Sequence, residues 1–419
     1  MRNILKFTVL MTVLGLLAFG CSRTDESQLT APTSGILKSA LNGNETLGDP
    51  VGITIASGSG MVAAGKGLYP NFDGAIAFNV PAGVTVKQVI LYWAGQHKIA
   101  SGDGVIKVNG NTVNGSLIGG PNFFYTPYSS STYRADITGL GLVVPGANTL
   151  NVTEMAFDDK NGGAGVLVIY QDMAEPAATI MLRDGNDLAF RDFPEPRKSC
   201  VPQEYTFSAA MVDRQAEMTF FFSSISAGRP GILRWWIDGV PQPDVCDAFS
   251  NPSDGAQWCT LTVPIVIPAG ATSVKFEPVS DACATTVYPG VLPQSLAWIT
   301  GALVIEGVGG EGCTPGYWKN TRMHSCAWDQ AGYSPNQDFD TVFGTNYFDP
   351  NRTLLTALQT GGGGYDALGR HAVAALLSAS HSGVDYGLTV QQVIDAVKAG
   401  DKDLLEWYNE MGCPLGNCK

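Results

Sequence analysis

Cysteine is the residue type with the most chemistry to offer in this chain. Cys200, Cys246, Cys259 and Cys283 form one set, and Cys313, Cys326, Cys413 and Cys418 a second, beyond a glycine-rich break at 307–310. Cys21 stands apart near the N-terminus. Four Cys or His ligands make a structural zinc site, and Cys313, His324, Cys326, Cys413 and Cys418 fit such spacing loosely. An even count in an exported chain instead reads as disulfides, and that is the expectation here for both sets. Spacing alone leaves the connectivity within each set open.

Two further groups of residues could bind ligands. Asp158 and Asp159 with Asn161, and Asp184 and Asp187 with Asn186, form oxygen-rich turns, and a hard cation such as calcium takes six to eight oxygens. Neither has the full spacing of a calcium loop, so plain Asx turns are the favoured reading and no cofactor is assigned. The stretch "GPNFFYTPYSSSTY" (120–133) gathers Phe123, Phe124, Tyr125, Tyr128 and Tyr133 in a loop-like setting. Exposed rings on a sandwich rim stack on sugar faces; the alternative is that they cap the core. "GMVAAGKG" (60–67) nearly matches a phosphate-binding loop, but Gly67 stands where the magnesium-binding hydroxyl belongs and no helical pattern follows. The chain holds only four histidines and no metalloprotease or serine-hydrolase signature. A glycoside-hydrolase carboxylate pair has members far apart in sequence, and none stands out. No catalytic residue is assigned.

The elements that must position these residues are mostly strands. "TVKQVILYW" (85–93), "GVIKV" (104–108), "NTLNVTEM" (148–155), "GVLVIY" (165–170), "MTFFF" (218–222), "LRWWI" (233–237), "TLTVPIVI" (260–267) and "LAWITGALVIE" (296–306) are β-branched and aromatic runs between turn residues. That spacing predicts antiparallel β-sandwiches. Asn109-Gly110 and Asp238-Gly239 read as type I′ hairpin turns. "VNG", "VPGANTLNV" and "GVLVIY" in the first half are echoed in order by "IDG", "IPAGATSVKF" and "GALVIE" in the second, which suggests a duplication. After residue 311 the period becomes helical. Asp349-Pro350 reads as a helix start, Leu368, Ala372, Ala375 and Ala379 share one face, and Thr389 with Gln392 forms a capping box before a stop at Gly400. About four helices are expected.

Length and charge bound the rest. The chain has 419 residues, 45% of them hydrophobic, 15% charged, and 50 glycines. A net charge of −13 argues against nucleic acid and anionic membrane surfaces as partners. The N-terminus reads Arg2 and Lys6, then an apolar run from Phe7 to Phe19, then Gly20-Cys21, the order of a secretory signal too short to span a bilayer. The following segment is poor in apolar residues and reads as a tether. The expected organisation is a signal at 1–20, a lipidated tether at 21–48, sandwiches at 49–176 and 177–308, and a disulfide-stapled helical module at 309–419.

Three resemblances bear on these segments. Ala18-Phe19-Gly20-Cys21 resembles the lipobox of bacterial lipoproteins, which implies cleavage before Cys21, acylation of its sulfur and membrane attachment. "YRADITGLGLVVPGANTLNV" (133–152) resembles a signature of galactose-binding-like jelly rolls, and residues 89–172 are similar to an uncharacterised β-domain of bacterial and archaeal surface proteins. "GCTPGYWKN", "GRHAVAALLSAS" and "GCPLG" resemble a CTPGYWKN-type helical module of such proteins. That last likeness implies pairing of Cys313 with Cys413 and leaves Cys326 with Cys418. The resulting expectation is a non-catalytic lipoprotein of the bacterial envelope, at the outer membrane or cell surface, for adhesion or surface interaction with a glycan or protein. A carbohydrate-binding or polysaccharide-processing surface protein is the alternative, and an extracellular hydrolase stands third.

Overall fold

A computed structural model describes residues 46–98, 102–125, 127–172, 175–193, 197–307 and 310–417. Cys21, the signal and nearly all of the tether lie outside them. The chain is mainly antiparallel β, with a small helical region at its C-terminal end.

The first half folds as eight strands: β1 (Gly60–Gly67), β2 (Gly74–Val80), β3 (Thr85–His97), β4 (Val105–Val108), β5 (Asn111–Asn114), β6 (Tyr128–Asp136), β7 (Gly146–Thr153) and β8 (Lys160–Gln171). They make two sheets, ordered β1-β8-β3-β6 and β2-β7-β4-β5, and the strand Ser116–Tyr125 is added beside β6. That order is a jelly roll. The second half repeats it with β9 (Thr179–Ala189), β10 (Gln203–Thr206), β11 (Arg214–Ser223), β12 (Ile232–Ile237), β13 (Val240–Pro241), β14 (Trp258–Ile267), β15 (Ser273–Val279) and β16 (Leu296–Ile305). Its sheets run β9-β16-β11-β14 and β10-β15-β12-β13. Each strand of the first roll thus has its counterpart eight strands later.

Both expected hairpin turns occupy the same place in this repeat. Asn109 and Gly110 have φ of 46° and 80°, and Asp238 and Gly239 have 45° and 75°. Each acidic or amide side chain reaches the neighbouring strand: Asn109 Oδ1 accepts the Asn151 amide at 2.7 Å, and Asp238 Oδ1 accepts those of Thr272 and Ser273. The sequence echo is therefore a structural repeat.

Each roll has its own core between its two sheets, one around Trp93, Leu91, Leu150 and Val166, the other around Phe220, Phe222, Phe276 and Trp298. A third core forms where the β1-β8-β3-β6 sheet faces the β9-β16-β11-β14 sheet, from Ile90, Tyr92, Leu167, Phe221, Trp258 and Ile299. These two sheets are buried on both faces, which is why β3 and β16 read as unbroken apolar runs instead of alternating. Glycines on β1 and β8 permit the approach. A Cβ at Gly65 would sit 2.3 Å from Trp258 Nε1, and one at Gly165 would sit 2.8 Å from both Phe221 and Trp258.

Two expectations about boundaries are corrected. Leu47 and Gly48, assigned to the tether, pair with Gly185 and Asp184 of β9, and Leu47 is buried in the core of the second roll. Asp349-Pro350 does not start a helix: Thr353 caps the next one, Leu354–Gln359, by accepting the Thr356 amide.

The helical region has its own core, built around Tyr365–Ser380, in which every residue from Ala372 to Ser378 is buried. Seven helices are described there, more than the four expected, because Pro315–Trp318, Thr321–Ala331 and Phe339–Phe343 are too short or kinked to show a period. The capping box of Thr389 and Gln392 is present, and Gly400 ends that helix at φ 74°. Cys313 is bonded to Cys413 across a separation of 100 residues, beside a backbone bridge between Gly312 and Gly412. Cys326 is also disulfide-bonded, while Cys418 lies outside the described residues.

Candidate functional site

Disulfides join Cys246 with Cys283 and Cys313 with Cys413, and Cys326 is bonded as well. Cys200 and Cys259 are a correction: both are free thiols buried in the second roll. Burial pushes the Cys259 thiol up to about 12 and that of Cys200 well above its usual range, so neither is a ready nucleophile. The zinc alternative loses its ligands to the bonds. Among the described residues no group of three or more His, Cys, Asp or Glu is placed to hold a metal.

The acidic stretch at 184–187, expected as a turn, lies inside β9 at a register shift and is also explained by packing. Asp184 and Asn186 cross the seam between the rolls. Asp184 pairs with Arg134 at 2.5 Å and accepts the Tyr92 hydroxyl at 3.0 Å, with all three side chains buried. Burial raises the Asp184 carboxyl pKa, and Arg134 opposes that shift. Asn186 receives hydrogen bonds from Ser130 and Thr132 and returns one to the Ser130 carbonyl. Asp187 binds the Val201 amide instead. These oxygens are spent on holding sheets together, so the calcium reading is withdrawn for Asp184 and Asp187.

The aromatic stretch at 120–133 is a hairpin of two strands and not a loop. Phe124 is 4% exposed and meets Phe193 edge to face, and Tyr133 stacks on Trp93 inside the first roll. Phe123 packs half-buried against the same inter-roll core as Phe124. Phe123 and Phe124 are therefore core residues, as the alternative reading had it. Tyr125 sits at the end of the first hairpin strand.

Tyr128 is different, because the fold carries it to the acidic turn at 158–159. At one end of the first roll Lys98, just after β3, meets Tyr128 of β6 and Asp158 of the β7–β8 connection, and Lys160 of β8 meets Tyr69 of the β1–β2 connection. Lys98 Nζ rests 5.4 Å from the centre of the Tyr128 ring, while its backbone amide donates to Asp158 Oδ1 at 2.6 Å. Lys160 Nζ rests 5.4 Å from the Tyr69 ring. Asp159 lies between these groups; burial raises its carboxyl pKa, and Lys160, Lys98 and a hydrogen bond from Tyr128 oppose the rise. Its Oδ2 atom is shielded from water and has no hydrogen-bond partner. Phe72, in the same loop as Tyr69, is 62% exposed.

Hydrogen bonds connect Asp159 to the seam between the rolls. Asp159 donates its amide to the Gln96 carbonyl at 3.2 Å, and the Gln96 side chain reaches across to Ser224 Oγ at 2.9 Å. Gln96 Oε1 and Trp258 Nε1 are buried without partners. Sequence reasoning singled out Tyr128, Asp158 and Asp159 in two unrelated roles and missed Tyr69, Phe72, Lys98, Lys160 and Gln96. "KGLYPNFDG" (66–74) was the available signal, a Pro-Asn-Asp loop carrying two aromatics.

No family model and no curated protein matches the chain. Among solved structures it is similar to a peptide-N(4)-(N-acetyl-beta-D-glucosaminyl) asparagine amidase, at 11% identity over 59% of this chain and 96% of that one, with a TM-score of 0.24. It is also similar to the cycloalternan-forming enzyme from Listeria monocytogenes, at 12% identity over 57% of this chain and 20% of that one, TM-score 0.20. A third is the VP2 subviral particle of infectious bursal disease virus, at 11% identity over 62% of this chain and 75% of that one, TM-score 0.22. Likenesses this slight carry no argument about what the chain does.

Proposed function

We propose that the protein is a non-catalytic component of the bacterial cell envelope, held by a lipid on Cys21, that acts in adhesion or surface interaction. The disulfides carry this reading. Cys246–Cys283 and Cys313–Cys413 are bonds of the kind that persist in an oxidising compartment, which supports an exported chain. The signal and Cys21 then supply export and attachment. Cells fed a fatty-acid analogue label the wild type and not Cys21→Ala; equal labelling of both removes the anchor from the proposal.

The rim around Asp159 favours a second reading, a carbohydrate-binding surface protein. Aromatic faces, ammonium groups and an acceptor oxygen are assembled there by four separate connections, with no nucleophile–base pair among them.

A further inference from the structure

We infer that the loop 284–293, through Val287, Pro289 and Val291, is a second membrane contact that rests in the surface of a zwitterionic bilayer and orients the rolls on it. The inference rests on the lipid-anchor reading and gives the anchored protein a direction.

The loop joins β15 to β16 and shows the solvent an apolar tip. Val287 is 73% exposed and Val291 42%, with the exposed Pro289 and Gly290 between them. Its base holds that tip in place. Cys283 is bonded to Cys246, and the Asp247 carboxylate accepts the Thr286 hydroxyl at 2.6 Å and the Val287 amide at 2.9 Å. On the return, Leu292 packs against the core between the rolls. The buried Gln294 side chain accepts the Ser226 amide at 3.0 Å and donates to the Phe249 carbonyl at 3.3 Å. A tip fixed in this way loses little conformational freedom on binding, and its apolar surface gains by leaving water. Two valines and a proline do not hold a protein on a bilayer by themselves. Beside a lipid anchor the contact is intramolecular, and the same small gain is enough to set orientation.

The direction of the chain identifies what covers the tip. Leu47 and Gly48 pair antiparallel with Gly185 and Asp184, so the chain enters the second roll from the Ala189 end of β9, where Thr46 accepts a hydrogen bond from Gln203. Ala189 pairs with Leu296, the residue at which the loop re-enters β16. The end that receives the lipid-bearing segment is thus the end that carries the loop, and Thr46 follows Cys21 by only 25 residues. The helical region lies at the opposite end: β16 finishes at Ile305, and Val212 of the 207–213 connection packs against the helical core. Val240, beyond the Asp238-Gly239 turn, is exposed at that opposite end too.

Charge sets the lipid class. The connections at the loop's end of the second roll (190–202, 224–231, 242–257 and 280–295) carry four basic and six acidic residues, and none of the ten falls between 282 and 295. The adjoining end of the first roll, joined through Gln96 and Ser224, adds Lys98 and Lys160 against Asp73, Asp103, Glu154, Asp158 and Asp159. The excess is acidic, so a zwitterionic surface suits this end and an anionic one repels it.

The test uses the full lipidated chain in phosphatidylcholine vesicles, with an environment-sensitive fluorophore on Val287→Cys or, as the control at the opposite end, on Val240→Cys. The expected result is a blue shift at 287 and loss of its emission to lipids with doxyl-labelled chains, with neither change at 240. Adding Val291→Asp returns the 287 probe to its emission in water without lowering the melting temperature. A 287 probe that stays in water while the chain floats with the vesicles overturns the loop contact and leaves the anchor standing. A chain that does not float at all overturns both. A blue shift that grows with protein density and is not quenched by the doxyl lipids puts the loop against another copy of the chain and overturns the lipid assignment.

Discussion

Replacing Gly165 by alanine should break the docking of the two rolls without touching either roll's own core. Gly165 lies in the middle of β8, and its missing side chain faces the second roll. An added Cβ would lie 2.8 Å from Phe221 Cε2, 2.8 Å from Trp258 Cζ2 and 2.9 Å from Phe221 Cζ. Both rings are fully buried, so neither can turn aside into solvent. Overpacking of this kind costs about 1–3 kcal/mol, and simultaneous contact with two rings places Gly165→Ala in the upper half, about 2–3 kcal/mol. For a cooperative unit of this size that lowers the melting temperature by about 4–12 °C. Tryptophan fluorescence during thermal unfolding reads it directly, since Trp258 is in the seam. Gly139→Ala is the control, because a Cβ there meets nothing within 4 Å and should stay within about 0.5 kcal/mol of the wild type. Phe221→Leu returns space, so the double variant should lose less than the sum of the singles. If Gly165→Ala melts with Gly139→Ala, or the double variant is simply additive, the seam is not close-packed at this point.

Asp184→Asn leaves Arg134 buried without its countercharge and should cost about 3–5 kcal/mol, most of it recovered by adding Arg134→Met; denaturant midpoints decide, and a loss near zero refutes the pairing. Removing the Cys313–Cys413 bond, which closes a loop of 100 residues, should cost the helical region about 4–5 kcal/mol, so proteolysis after Cys413→Ser should cut within 310–417 and spare 60–171. Burial holds the pKa values of both His371 and His381 below the ordinary imidazole value, and the Glu406 carboxylate 3.7 Å from His371 only partly offsets this. The unfolded chain therefore takes up protons first: the contribution is complete above pH of about 6.5 and is lost as pH falls through the lowered folded values. A His371→Gln, His381→Gln protein should show a flatter stability profile below about pH 6.5, and an unchanged slope contradicts the assignment.

Several local signals in the sequence were read correctly, although the helix start at Asp349-Pro350 was not, its helix being capped three residues later by Thr353. The Thr389–Gln392 cap, the Gly400 stop and the Asn109-Gly110 and Asp238-Gly239 turns each depend on hydrogen bonds or φ angles within a few residues. The strands were legible as apolar runs, and their echo between halves anticipated the repeat. Non-local facts were not legible. Phe124 and Tyr128 are four residues apart with similar side chains, yet one is enclosed by Phe193 from the second roll and the other meets Lys98 at the rim. Cys200 and Cys246 look alike in an even-numbered set, but only Cys246 has a partner within reach. Glycines in β1 and β8 signalled a close neighbour without saying that it would be Trp258. Aromatics were sought where they were densest, whereas the rim draws single residues from several connections.

The seam also dictates an order of events during synthesis. The sheet carrying β3 and β8 is complete once residue 171 has emerged, but one of its faces is a wall of Ile90, Tyr92 and Leu167 that only the second roll covers. Its cover needs β16, which ends at Ile305 and lies between β9 and β11. For well over a hundred residues of chain growth the first roll therefore shows an apolar face to its surroundings, the condition under which newly made chains associate wrongly. Leu47 waits as long, since its partner strand is β9 and its core belongs to the second roll. Export in an unfolded state, with folding begun only after the whole of 46–305 is across, would spare the chain that interval. Neither roll is a promising fragment to produce alone.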